Sequence, residues 1–337
     1  MKKLAVLLPT FNAAPFIKDS VNSILNQTYK DFDLFIYDDC STDKTAEIIL
    51  EFEDSRLFYR KNEINYGVAK TLNRGLDELL PKYEYVARMD ADDWAFPMRF
   101  EKQLDFLEKN QGYTMCGTQG YWLKDMKQNP ESGWEYPVNY EYLKCYLLFG
   151  ASFGHSSVVL RSVHLLNQNL KYNEEYITSQ DFDLWTRMAS KGLKFANLPN
   201  FLMKYRVLEN SNHRSLQNRN KLIKINTTII SGYWSQFEIK MTPQQVYEYY
   251  YKSNELSKAE FLHKLINLIE VFNKLFKNTS TNFTEEDKKK YSYLLSRRIL
   301  KYWKQSNTSR RNLKIWYLLI SKVQFISKWR LVKSLIK

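Results

Sequence analysis

Two acidic clusters stand out as groups that can do chemistry. Asp90-Ala91-Asp92-Asp93 puts three carboxylates in four residues, directly after the apolar run of residues 85–89. Hard divalent cations such as Mg2+ and Mn2+ take oxygen ligands, often one or two protein carboxylates plus substrate phosphates. Neighbouring like charges are costly unless a cation neutralises them, which makes the cluster a candidate metal site. The competing reading is a solvated acidic turn. The second cluster, Asp38-Asp39, closes another apolar run at residues 34–37. A third acidic segment, Ser179-Gln180-Asp181-Phe182-Asp183-Leu184-Trp185-Thr186-Arg187-Met188, opens a helical pattern, where any Asp is electrostatically favoured.

Chemistry at these positions needs elements that hold them together. Leu4-Ala5-Val6-Leu7-Leu8 is a continuous apolar run ended by Pro9, the pattern of a strand buried on both faces. Ile17, Val21, Ile24 and Leu25 follow at helical spacing, then the strand run of residues 34–37, then Ser41-Thr42-Asp43 as a helix-start signal before Ala46, Ile48, Ile49 and Leu50. Residues 57–59 read as a third strand, 68–80 as a third helix and 85–89 as a fourth strand. Such alternation predicts an α/β fold with a mainly parallel sheet flanked by helices, whose ligands bind beyond the carboxyl ends of the strands. The loops at residues 9–12, 38–42 and 90–93 are expected to converge on one sheet edge.

Composition narrows the rest. The chain has 337 residues, 44% of them hydrophobic, with only 10 Gly and 8 Pro, which excludes collagen-like, low-complexity and broadly disordered classes. The net charge of +13 is unevenly placed: residues 1–214 carry 26 basic and 29 acidic groups (−3), and residues 215–337 carry 24 and 8 (+16). This suggests two domains, 1–214 and a basic helical 215–337, in which Phe261, Leu265, Leu268, Phe272 and Leu275 keep amphipathic helix spacing. Cys40, Cys116 and Cys145 are odd in number and far apart, which indicates neither a disulfide framework nor a zinc site. No apolar stretch approaches 18 residues, and the expectation is a cytoplasmic protein with a peripheral membrane association open to it.

Pro9-Thr10-Phe11-Asn12, Ser23-Ile24-Leu25-Asn26-Gln27-Thr28-Tyr29, Asp38-Asp39-Cys40-Ser41-Thr42-Asp43, Asn65-Tyr66-Gly67, Leu72-Asn73-Arg74-Gly75-Leu76 and Ala87-Arg88-Met89-Asp90-Ala91-Asp92-Asp93 occur in this order. The series resembles the family 2 glycosyltransferases with a Rossmann-like GT-A fold, bacterial enzymes that build capsules, lipopolysaccharide and wall polymers. The resemblance covers roughly residues 3 to 210 and implies a nucleotide-sugar donor, mostly a UDP-sugar, a glycan or lipid-linked acceptor, and Mn2+ or Mg2+. It implies that Pro9, Thr10, Phe11, Asn12, Asp39 and Asn73 lie on the nucleotide sugar, that Arg88 and Asp90 face ribose and diphosphate, and that Asp92, with Asp90, holds the metal. Pro9 and Phe11 equally suit turn and packing roles, and for Asp39 the alternative is capping the following helix.

The resemblance further implies that Asp181 is the general base of an inverting transfer, with Gln180 standing where the family often has Glu. Gly154-His155-Ser156-Ser157 resembles a loop in which His155 meets acceptor or phosphates; a structural hydrogen-bonding His is the alternative. Tyr205-Arg206-Val207-Leu208 resembles a segment that often has His at position 208, and its absence here leaves Arg206 to pair with phosphate.

Two further readings compete. A sugar-phosphate nucleotidylyltransferase shares the nucleotide layout, but residues 9–14 contain no Gly-rich, Arg-containing loop. A basic membrane or nucleic-acid adaptor explains only the tail, where Lys288-Lys289-Lys290, Arg297-Arg298 and Arg310-Arg311 alternate with Trp303, Trp316 and Trp329. That mix suits an anionic membrane surface, a solvated basic face or a polymer groove; no nucleic-acid module accompanies it.

Overall fold

The computed structural model describes residues 2–124, 132–207, 216–237 and 240–251. The chain divides into two units, Met1–Leu222 and Ile223–Lys337, and the clustered acids lie in the first. Its elements run β1 (Leu4–Thr10), α1 (Ile17–Leu25), β2 (Phe32–Asp38), α2 (Thr45–Leu50), β3 (Leu57–Lys61), α3 (Val68–Leu79), β4 (Tyr85–Arg88) and β5 (Trp94–Ala95). They continue with α4 (Arg99–Lys109), β6 (Tyr113–Leu123), β7 (Gly133–Trp134), α5 (Tyr140–Tyr146), β8 (Val159–Arg161), α6 (Ser162–Asn167), α7 (Gln180–Ser190) and β9 (Lys194–Arg206), and then α8 (Leu216–Ser235) and α9 (Pro243–Tyr251). The expected amphipathic helix around Phe261–Leu275 and the basic stretch from Lys288 onward lie outside the described residues. Among those described, no helix is long and apolar enough to cross a membrane.

One nine-stranded sheet has the order β3-β2-β1-β4-β8-β6-β9-β5, with β7 paired to β6. The first four strands are parallel, as strand-helix alternation requires, with Thr10 opposite Asp38 and Leu7 opposite Arg88. Beyond β4 the sheet becomes mixed: β8 is antiparallel to both β4 and β6, and the long β6–β9 pair is parallel. Register shifts between Thr118 and Gly120 bend that pair, so the sheet curls instead of continuing flat.

All seven residues of β1 are buried, in keeping with its central place. Leu4, Val6 and Leu8 join Ile17, Val21 and Ile24 of α1 and Phe100, Leu104 and Leu107 of α4 in one apolar cluster. Leu7 points the other way, onto α3. There Gly75 is required by close approach, since a Cβ would collide with the Leu7 side chain and reach 3.2 Å from Tyr37. Burying each such aliphatic side chain is worth about 1.5–3 kcal/mol. This two-sided packing fixes the strand ends, and with them the acidic loops.

Candidate active site

One end of the site is built from the ends of β1 and β2. Pro9 and Thr10 are buried last residues of β1; Thr10 accepts the Asp39 N–H at its carbonyl (2.8 Å), while its hydroxyl is buried without a partner. Phe11 comes next and is 48% exposed, an aromatic face left open at the strand end. Asn12 adopts φ 50°, tolerable for Asn, and ties the two loops: its N–H donates to Ser41 Oγ (2.9 Å) and its Oδ1 accepts the Thr42 N–H (2.8 Å). The Asp39 carboxylate accepts three donors, Asn62 Nδ2 (2.7 Å) and the N–H groups of Tyr66 and Gly67 (2.8 Å each). It therefore organises the loop entering α3, at whose start Gly67 takes φ 84°, instead of capping α2. Asp43 serves α2, accepting the Thr45 N–H at 3.0 Å.

The carboxylate cluster follows β4. Oxygens of Asp90, Asp92 and Asp93 all lie within 4.8 Å of one another. Arg88, 3% exposed, forms an ion pair with Asp90 and donates to Ser156 Oγ (2.8 Å). Ser156 Oγ is in turn 2.6 Å from Asp90 Oδ2 and in hydrogen-bond contact with Asp93. A hydroxyl has one proton, so the second of these contacts needs a proton on the acid. The electrostatics agree. Burial, then the charges of Asp92 and Asp90, push the Asp93 carboxyl well up; burial and Asp90 push Asp92 up to about 6. Burial also raises Asp90, but the Arg88 guanidinium outweighs it and holds that acid below its usual range. Arg206, at the end of β9, donates its N–H to Asp93 (3.1 Å) and its Nε to the Asp92 carbonyl (3.0 Å), and lies over the Phe16 ring. Position 208 lies outside the described residues. Clustered, mutually repelling, all-oxygen donors are what a Mn2+ or Mg2+ ion neutralises, and the residues present fit one.

The opposite wall carries Asp181 at the start of α7, after Ser179 in the left-handed region (φ 58°). Burial raises its carboxyl above the usual range, and the charges of both Arg88 and Asp90 reach it. Gln180 beside it is buried with Oε1 unpartnered. His155 is held neutral by burial and then by Arg88; its Nε2 is 2.9 Å from the Tyr172 hydroxyl. Asn73 does not reach toward a nucleotide with any free donor. Both of its amide protons go to the segment before α7, to the Tyr172 carbonyl and Glu174 Oε1 (2.9 Å each), and its Oδ1 accepts the Tyr172 N–H (2.9 Å).

The fold thus gathers Arg88, Asp90, Asp92, His155, Asp181 and Arg206 around one sheet edge, with Phe11, Thr10 and Asp39 along it. Sequence reasoning gave no role of their own to four residues of this region. Asp93 was visible as the third acid of its cluster, and Ser156 lay inside the motif that singled out His155. Tyr172 and Arg99 carry no local signal. Arg99 is fully buried on α4, donates to the Arg88 carbonyl (2.8 Å) and to Gln103 Oε1 (3.0 Å), and is pushed down to about 9 by burial and by Arg88. The arrangement offers an aromatic face, an all-oxygen cation site with an arginine behind it, and a separate half-buried carboxylate able to take a proton.

Known glycosyltransferases resemble the chain in sequence and in fold. The model of glycosyl transferase family 2 matches residues 5–170. An uncharacterised glycosyltransferase of Methanocaldococcus jannaschii is 33% identical over 226 residues, covering 65% of this chain and 76% of the relative. The glucosyltransferase WfaP of Escherichia coli, named as acting from UDP-Glc on a GlcNAc-diphosphoundecaprenol, is 29% identical over 198 residues (58% and 74%). Among solved structures, Staphylococcus aureus TarS with UDP superposes with a TM-score of 0.55 at 17% identity, over 98% of this chain and 90% of that one. A Pyrobaculum calidifontis mannosyltransferase with GDP-Man and Mn2+ gives 0.52 at 15% identity (90% and 85%). By its sequence relatives and its GT-A-like sheet, the chain belongs to glycosyl transferase family 2.

Proposed function

We propose that the protein moves a sugar from a UDP-sugar to a hydroxyl of a bacterial surface glycan or lipid-linked acceptor, inverting the anomeric carbon and using Mn2+ or Mg2+. The observation that carries this reading is the pairing of two ends within one electrostatic field: a three-carboxylate cluster backed by Arg88, and a half-buried Asp181 whose carboxyl the charges of Arg88 and Asp90 both reach. Family membership favours sugar transfer over nucleotidyl transfer as the chemistry.

In this reading Phe11 stacks on the base, and Pro9, Thr10, Asn12 and Asp39 shape its pocket, Asp39 with the acceptor capacity left on Oδ2. Asp90, Asp92 and Asp93 hold the cation, which supplies positive charge to the diphosphate. Arg88 and Arg206 add fixed positive charge where the leaving oxygens become more negative. The acceptor hydroxyl gives its proton to Asp181 as its oxygen bonds to the anomeric carbon. The bond from that carbon to the diphosphate breaks, and its electron pair leaves with the phosphate oxygen. A carboxyl raised by burial is a stronger base than a solvated one, which suits Asp181 to accepting that proton. The names of relatives that use UDP-Glc, or were crystallised with UDP or GDP-Man, support the nucleotide class. We assign to the basic residues 215–337, net +16, the recruitment of the enzyme to an anionic inner-membrane face or polymer.

Nucleotide release from a panel of UDP-glucose, UDP-N-acetylglucosamine, UDP-galactose and GDP-mannose tests the proposal. Slow hydrolysis of at least one UDP-sugar, dependent on Mn2+ and abolished by EDTA, is expected. Release that ignores EDTA, or a protein that binds neither UDP nor GDP with Mn2+, overturns the reading.

A further inference from the structure

Tyr172 is a buried phenol (4% exposed) placed with unusual care. The Asn73 side chain grips both its N–H and its carbonyl, acting like an adjacent strand for a single residue of loop. Its hydroxyl meets His155 Nε2 at 2.9 Å, and the His155 ring contacts both the Tyr172 ring (centroids 5.4 Å apart) and the Trp185 ring of α7 (6.2 Å). The charges felt at the Tyr172 phenol are those of Arg88, Asp181 and Asp90, the two ends of the proposed reaction. His155 adjoins Ser156, whose hydroxyl bonds Asp90 and Asp93, and its ring meets Trp185, one turn along α7 from Asp181, so the pair stands between the carboxylate cluster and Asp181.

The hydrogen-bond inventory assigns the tautomer. Burial keeps the phenol protonated and the imidazole neutral, so the pair shares one O–H and one N–H. The hydroxyl has no other acceptor among the described residues. If Nε2 carried the imidazole proton, the buried phenolic proton would face nothing and lose its hydrogen bond. The phenol therefore donates to Nε2, and the imidazole proton sits on Nδ1. Nδ1 has no protein partner among the described residues.

We propose that Tyr172, clamped by Asn73, is a positioning residue that fixes the His155 tautomer whose Nδ1–H donates to a hydroxyl of the transferred sugar. The inference rests on the sugar-transfer reading above. It also moves Asn73 from the nucleotide, where its motif puts it, to the sugar side of the site, through Tyr172.

Two measurements test it, one of them independent of turnover. Histidine 15N correlation spectra, with the His155 signal identified by its loss in H155N, should show Nδ1–H in wild type and a change of tautomer in Y172F. A wild-type Nε2–H tautomer overturns the proposal even if UDP-sugar turnover is as expected. In Mn2+-dependent hydrolysis of the best UDP-sugar of the panel, Y172F and N73A should each lower kcat about tenfold to a hundredfold, with Kd for UDP changed less than about twofold. H155N places an amide N–H where Nδ1–H was, so Y172F should cost H155N no further activity. Unchanged kcat in Y172F, weakened UDP binding in N73A, or additive losses in the double variant would each contradict it. A failure of the sugar-transfer reading is separately visible as absent UDP binding in wild type.

Discussion

Replacing Asp92 by Asn keeps the side chain's shape and removes one of three clustered charges. The folded carboxyl titrates at about 6 against 3.8 for the free group. About two units, at about 1.4 kcal/mol each, make its ionised form about 3 kcal/mol costlier in the folded chain than in the unfolded one. The direction follows from proton counting. A carboxyl raised by folding binds more protons when folded, so its contribution is best below its unfolded value and is lost as pH rises through about 6. In EDTA, urea unfolding followed by tryptophan fluorescence from about pH 4.5 to about pH 8 should show D92N gaining on wild type, to about 3 kcal/mol at the upper end. Saturating Mn2+ should reverse the order. The wild type gains about 2.7 kcal/mol at a hundred times Kd by ligand linkage, and D92N should lose most of that gain. A difference that stays flat with pH, or equal stabilisation of both proteins by Mn2+, would refute the picture of repelling carboxylates relieved by a cation.

Two further outcomes follow from other parts of the structure. Phe11→Ala removes the exposed ring assigned to base stacking and should weaken Mn2+-dependent UDP binding by about 1–3 kcal/mol in calorimetry, with unfolding unchanged; an unaltered Kd would return Phe11 to a packing role. Gly75→Ala drives a methyl into Leu7 and should cost about 1–3 kcal/mol of stability by denaturant titration, whereas substitution at Gly112, where an added Cβ meets nothing within 4 Å, should not.

The parallel half of the sheet was legible because each of its strands is a short apolar run bounded by turn residues, and because the acids that matter sit directly at those run ends. The long β6–β9 pair was not. Its strands alternate Gly, Thr, Gln and Asn with apolar residues, contain register shifts, and in β9 pass through Pro199, so no single period survives. The site shows the same division. Asp90, Asp92 and Asp181 are visible as local motifs. Ser156 gains its meaning from acids 66 and 63 positions away, and Asn73 from a tyrosine 99 away, which no spacing encodes. Asn73 also illustrates how a motif locates a residue without revealing what it bonds to. Its position was legible, but the direction of its amide was not.

The central claim is that Asp181 takes the acceptor proton while the carboxylate cluster holds the donor. Asp181→Asn separates the two. Sugar transfer, measured as acceptor-dependent product, should fall about a hundredfold to ten-thousandfold, while Kd for UDP in Mn2+ stays within about twofold of wild type. Transfer at the wild-type rate in D181N, or a loss of UDP binding as large as the loss of transfer, would contradict the account.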